Sequence, residues 1–200
     1  MNNKKPDKFA RIISTLFVPP FFTFALFTYF AFIFEATTIN KIIVISTAFT
    51  FGTLFHILFF LYQRKRGKLR DNDASVKEER GVSYLFAILF YFFGWLILFL
   101  SKVNPISIAF GFSYIFSTLF IFLINIKWKI SGHAMGAAIP LAAIVFVIGP
   151  VGLWFTFILI IVGWARIKLK VHNLSQVISG ALLGFFSTYL QMYLIIHYFS

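Results

Sequence analysis

Two histidines and an arginine stand at the ends of apolar segments in this 200-residue chain. Ser131-Gly132-His133 opens one apolar run, and Arg166, five further residues and His172 precede another. Imidazole and guanidinium groups can hold an anion, and the backbone N–H groups of a helix start add to that binding. The spacing therefore indicates a phosphate site at the ends of membrane helices.

Cleavage of a phosphate ester without a metal needs a nucleophile, a proton donor and groups that hold the phosphate oxygens. The chain carries a candidate for each role. His172 can attack phosphorus, and His133 can protonate the leaving oxygen. Arg80 and Arg166 can bind the oxygens, with Lys77 as a further candidate for phosphate binding.

Three further residues complete the predicted site. Ser131 and Gly132 are expected to bind the phosphate, because glycine allows close approach to the backbone. Gln176 lies four residues after His172 and is expected to orient its ring. Gln176 is equally well placed to act only as a helix cap, since Asn173 and Gln176 have capping-box spacing. The sequence leaves both roles open.

The acidic residues argue against a metal-dependent reaction. None of them lies inside an apolar run, whereas magnesium sites prefer carboxylate ligands. We therefore expect no metal and no other cofactor. The six acids are Asp7, Glu35, Asp71, Asp73, Glu78 and Glu79.

The composition places the chain in a membrane. It is 60% hydrophobic and 12% charged, with a mean hydropathy of +0.89, whereas soluble domains carry about 25% charged residues. There is no Cys, so disulfides and thiolate chemistry are excluded. We predict an all-α, polytopic bundle of transmembrane helices that forms one domain over residues 1–200.

A bilayer core is crossed by about 20 apolar residues per helix. This length predicts seven spans, of which the fifth and sixth are short and are joined by Gly149-Pro150. These two could instead form one kinked re-entrant unit. Gly180 and Gly184 have the spacing typical of close helix packing. The predicted spans are Ile12–Phe34, Ile42–Tyr62, Val82–Leu100, Ile106–Ile126, Ala134–Ile148, Val151–Ala165 and Val177–Phe199.

The formal net charge of +12 is concentrated in four segments. These are the amino terminus (with Lys4, Lys5, Lys8 and Arg11) and residues 63–80, 127–133 and 166–172. With seven spans all four fall on one face, and the positive-inside tendency makes that face cytoplasmic. Charges at span ends indicate membrane lipids, rather than nucleic acid, as the partner.

The long charged segment also contains a predicted helix start. Ser75 and Glu78 have capping-box spacing, and a helix from Val76 would continue into the third span. Lys77 and Arg80 would then share one face of its first turn.

The motifs resemble the type 2 phosphatidic acid phosphatase superfamily, and small archaeal and bacterial members are the most similar. That family carries K-x6-R-P, P-S-G-H and S-R-x5-H-x3-D. Here S-G-H ends at His133, R-x5-H runs from Arg166 to His172, and Arg80 falls at the arginine of the first motif. The resemblance covers about residues 75–190. It implies that His172 forms a phosphohistidine and that His133 is the acid.

The chain also departs from the family motifs. Gly81 and Ile130 replace two prolines, and Ala165 replaces a serine. Asp73 stands where the lysine of the first motif is expected. Gln176 replaces the aspartate that would orient His172, so the acceptor is kept but its charge is lost.

The expected function is hydrolysis of a lipid phosphate or a polyprenyl diphosphate in the cell membrane. A lipid phosphotransferase would use the same residues with a different acceptor. A non-catalytic lipid-phosphate binder or transporter is the alternative that the missing acid at Gln176 favours. The sequence determines neither the lipid nor the oligomeric state.

Overall fold

The computed structural model describes residues 7–198, and the regular structure in that range is entirely helical. Lys4, Lys5 and Phe199, the predicted end of the last span, lie outside it. The α-helices are α1 (Lys8–Leu16), α2 (Pro19–Phe34), α3 (Thr38–Phe49), α4 (Phe55–Lys65), α5 (Gly81–Leu100), α6 (Pro105–Lys127), α7 (Gly132–Ile148), α8 (Thr156–Lys168) and α9 (Leu174–Tyr198).

Three short segments of different helical type connect these helices. A π-helical turn over Thr50–Leu54 joins α3 to α4. A 3-10 turn over Lys77–Arg80 leads into α5, and another over Gly149–Phe155 joins α7 to α8. The second of these turns contains Lys77 and Arg80 of the predicted site.

The number of separate spans is smaller than predicted. Five helical stretches in residues 7–198 are long and apolar enough to cross a membrane, or six if α1 and α2, bent by 45°, count as one. Seven separate spans are therefore not confirmed. The predicted fifth and sixth spans belong to one 37-residue helical stretch, Gly132–Lys168, which agrees with the alternative of one kinked unit.

This stretch folds back on itself. A straight helix of its length would extend about 55 Å, yet α8 packs against α7. Gly149 at the turn has a φ of 73°, which favours glycine. A Cβ on Gly152 would lie 2.9 Å from the backbone nitrogen of Val145, so the chain passes very close there. The fold-back brings the start of α7 and the end of α8 to the same end of the bundle.

Helices α7 and α9 are in close contact through two glycines. A Cβ on Gly180 would lie 2.5 Å from the carbonyl oxygen of Ser131, and one on Gly184 would lie 2.6 Å from that of Met135. Both positions therefore require the absence of a side chain. The predicted packing role of these glycines is confirmed, and it fixes the start of α9 beside the start of α7.

The core is centred on α2, α6 and α7, and α3, α5 and α9 also contribute buried side chains to it. Its fully buried side chains include Phe30, Phe110, Ile121 and Ile139. At the end of the bundle away from the predicted site, both Glu35 carboxylate oxygens accept the backbone N–H of Asn104 at 3.0 Å. This buried acid stabilises the start of α6, where the helix dipole favours a negative charge.

The capping box predicted for Ser75 and Glu78 is wrong. The Ser75 hydroxyl donates to the Asp71 carboxylate instead. Val76 precedes the 3-10 turn and contributes no side-chain cap. The Ser75 side chain therefore bonds within the loop and does not cap the helix, because Asp71 accepts from several donors of the loop at once.

Candidate active site

The four charged segments meet at one end of the bundle. Asp73 of the long loop contacts Arg11 of α1 at 2.7 Å and Arg166 of α8 at 2.6 Å. The Lys129 ammonium, just before α7, donates to the carbonyl of Val171 at 2.6 Å. Side chains far apart in the chain are thus brought to one place, as the charge pattern predicts.

His172 is held by the first turn of α9. Its Nδ1 lies 2.9 Å from Gln176 Oε1, which also accepts the backbone N–H of Asn173 at 3.3 Å. Because this atom accepts from a backbone N–H, it is the amide oxygen, and Nδ1 must carry the imidazole proton. Nε2 is therefore unprotonated, and its lone pair accepts from Arg80 Nη2 at 3.5 Å.

Gln176 fills both roles that the sequence left open. Its backbone N–H donates to Asn173 Oδ1 at 2.9 Å while its side chain accepts from the Asn173 backbone, which completes a capping box. The same side-chain oxygen orients His172. The helix cap and the orientation of the ring are therefore one structural unit.

His172 is neutral over the ordinary pH range. Burial and, next, the positive charge of Arg80 lower its pKa, and the hydrogen bond to Gln176 opposes them only in part, so the pKa falls to about 3. Above that pH the imidazole is unprotonated. The Nε2 lone pair is then available as a nucleophile.

Arg80 is fixed by backbone carbonyls at the start of α5. Its Nε donates to Ala74 at 2.5 Å and its Nη1 to Ile130 at 3.0 Å. The side chain is buried, and Nη2 remains directed towards His172. A guanidinium held in this way can bind an anion without losing further side-chain entropy.

Arg166 is the largest side chain in the described residues that is fully buried. Its Nη1 donates to Asp73 and to the Ser14 hydroxyl. Its Nε and Nη2 have no hydrogen-bond partner among residues 7–198. Buried donors are almost always paired, and an unpaired one costs about 1–3 kcal/mol. Two such donors on one cation point to a missing anionic ligand.

His133 and Gly132 lie on the same cavity as Arg80 and His172. His133 is half-buried and within electrostatic range of Arg166 and His172. The fold therefore brings the two predicted histidines and Arg80 around one cavity, and Arg166 lies buried behind Asp73 and Ser14, which line it.

Ser131 and Lys77 are occupied elsewhere. The Ser131 hydroxyl accepts from Ala134 at 3.3 Å and so caps α7. The Lys77 ammonium donates to the last carbonyls of α6, those of Ile126 at 3.0 Å and Lys127 at 3.2 Å. A cation is favourable at a helix C-terminus. The structure thus does not bring the Lys77 ammonium to the other predicted phosphate-binding groups.

The site opens into an elongated cavity of about 610 Å³. Its lining runs along α5 from Arg80 to Tyr91, a distance of about 16 Å for a helix. The polar end contains His133 and His172, whereas the deeper part is lined mainly by aromatic and aliphatic side chains, with His56 packed among them. The deeper lining includes Phe59, Phe60, Phe90, Met135 and Ile139.

The sequence reasoning missed Lys129 and Asp73 as parts of the site. Burial lowers the pKa of Lys129, and the nearby charges of Arg80 and Arg166 add to this effect. In the sequence, the position of Lys129 four residues before His133 could have indicated that it belongs to the site. Burial would raise the pKa of Asp73, but hydrogen bonds from Arg11 and Arg166 and their charges hold it below its ordinary value. For Asp73, the indication in the sequence was an acid at the position, seven residues before Arg80, where the family motif has a lysine.

The described residues offer no evident metal site, since no group of three or more His, Asp and Glu side chains in residues 7–198 is arranged to hold an ion. Comparisons of the chain with protein-family models, with curated proteins and with solved structures give no match. The site is therefore interpreted from its own geometry.

The assigned tautomer can be tested with Gln176→Glu, which keeps the side-chain length and adds a negative charge. A carboxylate favours the imidazolium, so the pKa of His172 should rise by about 1–3 units. Nitrogen NMR of histidine-labelled protein in detergent would measure this. In the unmodified protein at neutral pH, Nδ1 should be protonated and Nε2 should not. Gln176→Leu, which removes the acceptor, should give a mixture of tautomers. An ordinary histidine pKa at position 172 in the unmodified protein would contradict the assignment.

Proposed function

We propose that this protein is a membrane-embedded, metal-independent phosphatase that hydrolyses a lipid phosphate or a prenyl diphosphate through a phosphohistidine at His172. The observation that carries the proposal is the buried Arg166 with two unpaired nitrogens, Nε and Nη2. It lies at the same end of the bundle as a neutral histidine whose unprotonated Nε2 is beside Arg80. An oxyanion with several acceptor oxygens would satisfy these donors.

In the first step the Nε2 lone pair of His172 attacks phosphorus, and the bond from phosphorus to the leaving oxygen breaks. The negative charge of the bound phosphate favours a protonated His133. His133 gives its proton to that oxygen, so the lipid leaves as an alcohol, or as a monophosphate if the substrate is a diphosphate. Arg80 and Arg166 hold the remaining phosphate oxygens, whose charge is spread in the transition state.

In the second step water attacks the phosphohistidine. His133, now neutral, accepts a proton from the water, and the bond from phosphorus to Nε2 breaks. Inorganic phosphate leaves and His172 regains its lone pair. Gln176 keeps the Nδ1 proton in place throughout, so the ring returns to the same tautomer.

A lipid substrate is supported by the shape of the cavity. Its polar end holds the candidate catalytic residues, and its apolar part continues for about 16 Å along α5. Burial of hydrocarbon there contributes roughly 0.8 kcal/mol for each methylene group. A soluble phosphate ester has no hydrocarbon chain to fill the apolar part of the cavity.

Two other functions use the same site. A phosphotransferase would replace water with a second alcohol in the second step. A phosphate binder without turnover is favoured by Gln176, because attack by Nε2 makes the His172 ring positive and an amide offers no negative charge in compensation. The activity measurement below separates the three.

We place the site on the cytoplasmic face of the cell membrane. The support is the concentration of basic residues at the site end of the bundle, including Arg64, Lys65 and Arg66, which lie outside the phosphate-binding motifs.

The purified protein should release phosphate from lipid phosphates or prenyl diphosphates in the presence of EDTA, since Arg80 and Arg166 supply the positive charge. His172→Ala should lower the rate by roughly a thousandfold or more, the scale of losing a covalent nucleophile. His197→Ala is the matched control, because His197 is exposed at the far end of α9, and it should be as active as the unmodified protein. Activity that needs added Mg²⁺ would contradict the mechanism. Phosphate found on an added alcohol would indicate the transferase, and binding without release would indicate the binder.

The proposed orientation can be tested by thiol labelling, because the chain has no cysteine of its own. Asn72 and Lys102 are exposed and flank opposite ends of α5. With an impermeant reagent on intact cells, Lys102→Cys should react and Asn72→Cys should be protected. The reverse pattern would place the site on the outer face.

A further inference from the structure

The phosphate-binding arginine of the proposed site already holds an anion from the protein itself. Asp73 Oδ1 lies 2.6 Å from Arg166 Nη1, and Asp73 Oδ2 lies 2.7 Å from Arg11 Nη1. A carboxylate presents the same kind of charged acceptor to a guanidinium as two phosphate oxygens do. Asp73 thus makes a contact that a phosphate oxygen of the substrate would otherwise make.

Asp73 also lies between the cavity and Arg166. Asp73 and Ser14, the two side chains that accept from Arg166, both line the cavity. Arg166 is fully buried and does not line it. A phosphate that enters the cavity therefore reaches this arginine only if Asp73 is displaced.

The backbone around Asp73 is held independently of its carboxylate. Asp71 Oδ1 accepts the backbone N–H groups of Asp73 at 2.8 Å and of Ser75 at 3.1 Å. Arg80 donates to the carbonyl of Ala74. The Asp73 side chain can therefore leave Arg166 by rotation while the loop stays in place.

We propose that Asp73 is an internal competitor of the substrate phosphate, and that it sets the specificity of the site for phosphate carried on a lipid. This inference rests on the proposed function. Inorganic phosphate must displace Asp73 with its own charge alone. A lipid phosphate gains additional binding from its hydrocarbon chain in the apolar part of the cavity, and this offsets the loss of the Asp73 contacts. The same competition helps release the phosphate product.

The test measures binding of inorganic phosphate to the detergent-purified protein by calorimetry. Asp73→Asn removes the charge of the competitor and keeps its size. Its Kd for inorganic phosphate should fall about tenfold, the scale of one charge-assisted hydrogen bond. Asp73→Ser, which also lacks the charge, should show the same fall and provides a second variant if the first does not fold. Folding of each is checked by thermal unfolding.

Asp71→Asn is the matched control, since it neutralises a carboxylate in the same loop that does not contact Arg166. Its Kd for inorganic phosphate should equal that of the unmodified protein. Unchanged or weaker phosphate binding in folded Asp73 variants would overturn the proposal, as would an equal gain in Asp71→Asn, which would show that loosening of the loop is the cause. A third outcome separates the two proposals. If no variant hydrolyses a lipid phosphate but the Asp73 variants bind phosphate more tightly, competition by Asp73 is supported and the phosphatase function is contradicted.

Discussion

The arrangement of this end of the molecule depends on one buried guanidinium. A charge removed from water is stable in a protein only when it is paired and hydrogen-bonded. Arg166 has no exposed surface, and only one of its three nitrogens has partners among the described residues. Helix α1 supplies Ser14, and the loop before α5 supplies Asp73. Both side chains accept hydrogen bonds from the cation, and the contact with Ser14 joins α1 to the end of α8.

Two backbone features bring the other groups to Arg166. The turn at Gly149 returns α8 alongside α7, so Arg166 at the end of α8 comes back to the level of His133. Gly180 lets α9 approach the backbone of Ser131, which places His172 and Gln176 at the start of α7. A side chain on Gly180 would push the start of α9 away from α7 and so separate His172 from His133.

Much of the candidate site follows from spacing in the sequence. Polar residues at the ends of apolar runs must gather where those ends gather, and the charge asymmetry of the runs predicted one common end. Arg80, His133, Arg166 and His172 were therefore foreseeable. The number of separate spans was not foreseeable. The predicted fifth and sixth spans could be either two short spans or one folded stretch, and only tertiary packing decides between them.

The exact partners of long side chains could not be predicted either. Lys77 is three residues before Arg80, yet its ammonium caps α6 while Arg80 turns towards His172. Asp73 stands where the family motif has a lysine, and in the structure it contacts two arginines. These outcomes depend on which helix end or cation lies nearby in space, which the local sequence does not specify.

The most direct test of the central claim is to look for phosphate on His172 during turnover. The protein would be mixed with a lipid phosphate radiolabelled in its phosphoryl group, quenched rapidly in base and digested. We expect label that is stable to base and labile to acid on the peptide that contains residue 172, and no such label in His172→Ala. Release of phosphate with no label on that peptide, or with label on another residue, would contradict it.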